Sequence, residues 1–174
     1  MAISIRKEVG VKDAADILLN FSIDRNDLEI LLNGLPPSAD IDRVVIEYEI
    51  QILKILSVGW SLSFFLEGAS TKSALTESFW AAVQEFSRNL SIASSVSLNR
   101  DFDYFAILKE RLDTYLKALN GHPETRDPAV LIGPAFAAVC GDGADAIAIL
   151  CGSKMFHVAV SGVRHYLESV TLIS

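Results

Sequence analysis

Histidine and cysteine are scarce in this chain, three and two residues among 174, and the few present are not spaced for chemistry. His157 and His165 stand eight residues apart, roughly 80° around a helix rather than at the i, i+4 spacing of a helical zinc pair. His122 precedes Pro123 in a turn-rich stretch. No Glu-x-x-His motif occurs, which removes the ligand pattern of carboxylate-bridged metal bundles. Cys140 and Cys151 match no metal-ligand spacing; in a reducing compartment such thiols behave as small hydrophobes. No serine sits in a strand-turn-helix elbow, so nucleophilic hydrolysis has no support. These absences point away from an enzyme, and no metal or cofactor is expected.

Positive charge is thin as well. Lys and Arg number 15 against 22 Asp and Glu, a net charge of -7, and the cations are scattered. A duplex binder needs a basic stripe to displace counterions, so nucleic acid is not an expected partner. The amino-terminal MAISIRKEVGVKDAAD has no apolar h-region, so a cleaved secretory signal is unsupported and a cytoplasmic location is expected. A membrane span is not expected either. The low-charge run from Ala129 to Val163 is cut at Gly133-Pro134 and again at GDGAD, leaving pieces shorter than the ~20 residues a bilayer requires. Gly141 to Ala146 reproduces the spacing G-x-G-x-x-A, but no alternating strands and helices surround it. Asp142 and Asp145 put negative charge where a phosphate would sit, so GDGAD reads as a turn whose aspartates cap the next helix.

What is present is apolar periodicity at the helical repeat. The fold expected is all-α, a single-domain bundle of about seven helices over residues 1–174, with residues 1–10 read as extended or disordered. Short helices over Lys12–Phe21 and Asp24–Asn33 form a hairpin, followed by a long central helix near 41–66. Helices ending near Val96, Leu119 and Val139 come next, and a buried carboxy-terminal helix spans about 144–169. Pro36 and Pro37 prevent the second helix from running into the third, and Ser38 or Asp40 is available to cap the latter.

On the long helix Arg43, Glu47, Lys54, Ser57 and Ser61 share a polar side. The apolar arc is wider than the ~100° of a surface helix, so several elements must cover it. Glu49, Trp60 and Ser63 interrupt that arc and are the candidate pocket residues. A carboxylate aimed at a core needs an answer: a metal or small molecule, an arginine, or water at the bundle's end.

Hydrophobic residues make up 51% of the chain and mean hydropathy is +0.34, apolar enough to suggest surface shared with another copy. Trp80 lies among polar residues, either as a partner anchor or covered by a neighbouring helix. Ala148, Gly152, Ala159 and Gly162, with Ala144 and Cys151, form a stripe of small residues that admits a second helix, within the chain or across a twofold axis. Two functions follow as expectations. The first is a non-enzymatic interaction or regulatory module, a homo-oligomer with a protein partner in reach. The alternative is a small-molecule or metal-binding helical protein with a pocket around Glu49.

Overall fold

The computed structural model describes residues 6–37 and 39–174. The fold is all-α: α1 (Val11–Ile23), α2 (Asn26–Asn33), α3 (Arg43–Phe65), α4 (Lys72–Leu98), α5 (Tyr104–Asn120), α6 (Ala129–Val139) and α7 (Ala146–Ser169). Two four-residue strands flank them, β1 (Lys7–Gly10) and β2 (Val170–Ile173). They pair in parallel, Lys7 opposite Val170 and Gly10 opposite Ile173, and bury Val9 and Val170. The expectation of extended chain near the amino terminus therefore gains a partner that periodicity did not reveal; the part of it over residues 1–5 lies outside the described residues, as does Ser38.

α3 is the axis of the bundle. Ile50, Ile52, Ile55, Val58 and Leu62 have no exposure at all, and burying each contributes about 1.5–3 kcal/mol relative to leaving it in water. The helix starts at Asp42, whose carboxylate accepts from the Val44 and Val45 amides; Asp40 does not cap it. Such a cap satisfies two of the four amides every helix start leaves open. The polar side read from the wheel is dry over its second half: Lys54, Ser57 and Ser61 are buried. Lys54 is covered from the α1–α2 turn, Ser57 faces Tyr115 of α5 and Phe156 of α7 across a small cavity, and Ser61 Oγ turns back to donate to the Ser57 carbonyl.

α7 begins where Asp145 accepts from the Ile147 and Ala148 amides, so GDGAD is an interhelical turn with its last aspartate as the cap. α7 packs most extensively on α6 and α3. At 24 residues it is long and apolar enough to cross a membrane by length and composition, which corrects the expectation that every piece of the apolar run is too short. In this fold 39% of its most apolar window is buried against other helices. Pro134 stands inside α6 at an exposed position, where its missing N–H costs one bond without a core clash.

Candidate functional site

A roomy site lies between α2 and α7. Ile30, Leu31, Leu35 and Pro36 form one wall, and Ile147, Leu150, Cys151 and Val158 the other, around a cavity of about 640 Å³. That volume lies within the range of small-molecule sites. Ile30 is 73% exposed and Leu150 50%, large values for branched aliphatic side chains that line one concavity. Cys151 is buried at its floor as a free thiol.

The groove has a direction. Lys54 of α3 bonds Asp27 at the start of α2, while Arg43 donates to the Leu32 carbonyl at its end, so α2 runs antiparallel to α3. Asp42 and Ile46 border Asp145 and Ala148, and Trp60 meets Phe156 with ring centroids 5.3 Å apart, so α3 and α7 run parallel. Gly34, Leu35 and Pro36 therefore share one end of the groove with Ile147, and Asp27 shares the other with Lys154, His157 and Val158. One end is apolar and the other is charged.

Beneath the charged end lies Lys54. Its side chain has no exposure, and its Nζ donates to Asp27 Oδ2 at 2.8 Å and to the Asp24 carbonyl at 2.9 Å, 4.6 Å from the centre of the Phe21 ring. Asp27 remains one-third exposed and forms part of the groove wall. Lys154 is exposed and has no ion-pair partner among the described residues; His157 Nε2 lies 3.4 Å from Asp127.

The candidate pocket residues are not gathered. Glu49 is buried and both its carboxylate oxygens accept from Arg111 of α5, at 2.9 Å from Nε and 2.8 Å from Nη2, so the buried charge is answered by an arginine. Trp60 and Ser63 lie eleven and fourteen residues further along α3, roughly 16 and 21 Å at the helical rise, and Trp60 lines a small cavity with Ser57, Tyr115 and Phe156 that includes neither Glu49 nor Ser63. Trp60 also stacks on Phe64 with centroids 5.0 Å apart. Around Glu49, burial first and its charge second push the Tyr115 phenol up and the Cys140 thiol up to about 12. Both stay protonated at neutral pH.

The candidate interface residues are used within the chain. The Trp80 ring lies on Gly59 of α3, where any Cβ would collide with it. Gly152 admits Phe136 of α6, Gly162 admits the Phe21 ring of α1, and Ala148 and Ala159 are buried. Within the chain the small-residue stripe is thus a seat for α1 and α6. The serines of α4 act locally as well. Ser91 Oγ accepts from the Tyr104 amide and Ser95 Oγ from the Phe102 amide, pinning the entry to α5.

Lys54 and the α2–α7 groove escaped sequence reasoning. Lys54 gave a signal, a lone cation inside an otherwise apolar run, but the wheel assigned it to the wet side. The histidines stay apart, His122 on a loop and His157 and His165 on α7, and among the described residues no three His, Cys, Asp or Glu side chains gather into a metal site. Comparison of the chain with protein-family models, with curated proteins and with solved structures gives no match.

Proposed function

We propose that this chain is a non-enzymatic binding module that takes an apolar group of another molecule into the groove between α2 and α7. The exposure of Ile30 and Leu150 around one concavity carries the reading, because leaving such side chains wet costs stability that a bound partner returns. The separate placement of the histidines and the pairing of Glu49 with Arg111 support a binding role over catalysis. A cytoplasmic, reducing setting suits the two free thiols.

Nile red, a neutral apolar dye, tests the reading. The wild-type chain is expected to bind about one dye with a blue-shifted emission, and Ile30→Asp/Leu150→Asp to lose it with unchanged far-ultraviolet dichroism. Retention of the dye by a folded double variant contradicts the proposal.

A second reading, self-association, draws on the free end of α4, where Ile92, Val96 and Leu98 are 59%, 80% and 52% exposed. Native mass spectrometry is then expected to give a dimer that Val96→Asp converts to monomer; a monomeric wild type rejects it.

A further inference from the structure

We infer that the groove between α2 and α7 takes a single-chain carboxylate amphiphile, with its acyl chain toward Leu35 and Ile147 and its carboxylate at Lys154. The inference rests on the binding-module reading and names the class of ligand. Two observations beyond the apolar lining carry it. The first is the polarity of the groove along its length, apolar where the α2–α3 turn lines it and charged at Asp27 and Lys154, with the His157 imidazole beside them. An occupant with one apolar and one polar end matches that order. A partner helix, which would run on past the Gly34–Pro36 turn, matches it less well.

The second observation is the sign of the free charge. At the polar end the one carboxylate of the groove wall, Asp27, is neutralised by Lys54. The Lys154 ammonium is left without an ion-pair partner among the described residues, in a chain of net charge -7. An anionic head completes this set, whereas a cationic head would be repelled by Lys154 and would have to displace Lys54 from Asp27. The length fits as well: the α7 wall from Ile147 to Lys154 spans roughly 10 Å at the helical rise, room for a chain of medium length.

The test is displacement of Nile red by decanoate, octanoate, decanol and decylammonium, each below its micelle concentration, on the full chain. Decanoate is expected to bind about fivefold more tightly than decanol, the scale of one partly exposed ion pair, with decylammonium weakest. Octanoate should be weaker than decanoate, each lost methylene removing up to about fourfold. Lys154→Met should bring decanoate down to the level of decanol, and Lys154→Glu should place decylammonium above decanoate. Lys154 is exposed, so neither change endangers the fold.

Equal affinity for decanoate and decylammonium, with Nile red still seated in the groove, overturns the carboxylate assignment and leaves the binding module standing. Binding of neither dye nor amphiphile overturns both. Co-sedimentation with phosphatidylglycerol vesicles without displacement by decanoate also overturns the inference, in favour of an anionic membrane surface.

Discussion

Glu49 and Lys54 stand five residues apart on α3, both buried, yet they are answered from opposite sides of the molecule. Glu49 meets Arg111 in a two-pronged bond, and neither residue lines the α2–α7 groove. Lys54 meets Asp27, which is itself part of the groove wall. The first pair ties α3 to α5; the second ties the core to the surface proposed to bind. Exposure differs too. The more exposed members are Arg111 at 21% and Asp27 at 33%, and the more buried are Glu49 at 6% and Lys54 at 0%. The cost of breaking such a pair is the cost of the charge left behind. Each pair is therefore asymmetric, and removing the wetter partner is the more damaging change.

The largest effect is expected at Asp27. Asp27→Ala strands the fully buried Lys54 ammonium and should cost about 3–5 kcal/mol in urea unfolding, whereas Lys54→Met leaves a carboxylate that reaches water and should cost about 1–2 kcal/mol. Equal losses would break the asymmetry argument. At the other pair Arg111→Met should cost about 3 kcal/mol by stranding Glu49. Joining it to Glu49→Leu should restore most of that loss, since an apolar pair carries no buried charge. If the double variant is as unstable as the single one, the cost lies in packing.

The smallest effect is one of pH. The Cys140 thiol is raised from about 9 in the unfolded chain to about 12, first by burial and then by the Glu49 charge. Its neutral form is the one the fold favours, so stability is intact below pH 9 and declines as pH rises from about 9 toward 12. Burial also raises Tyr48, Tyr104 and Tyr115, which adds to the decline in the upper part of that window. Cys140→Ala should soften the early part of the fall in melting temperature, and an unchanged profile would remove Cys140 from the account.

The helices were legible because their contacts are local: the apolar repeat places the central helix at 41–66 and the structure gives Arg43–Phe65. Glu49 was legible as a charge needing an answer, because its neighbours Val45 and Ile52 on the same face are apolar. Its partner was not, since Arg111 lies 62 positions away and looks like any surface arginine on α5. Lys54 misled for the opposite reason: a wheel averages polarity and cannot foresee that α1 and α2 bring a carbonyl and a carboxylate to one buried ammonium. The groove was hidden in the same way. Ile30 and Leu150 read as ordinary members of amphipathic helices, and only the packing of α2 beside α7 leaves them facing an open concavity. The paired strands are the extreme case, four residues near each end of the chain that pair across almost its whole length.

The central claim, that the α2–α7 groove is the working surface, is tested most directly by methyl-resolved NMR during a decanoate titration. The account predicts saturable shifts at Ile30, Leu150 and Val158 with none at the core methyls of Leu53 and Val83. Shifts centred instead on Ile92 and Val96 of α4, or an absence of shifts at the groove, would contradict it.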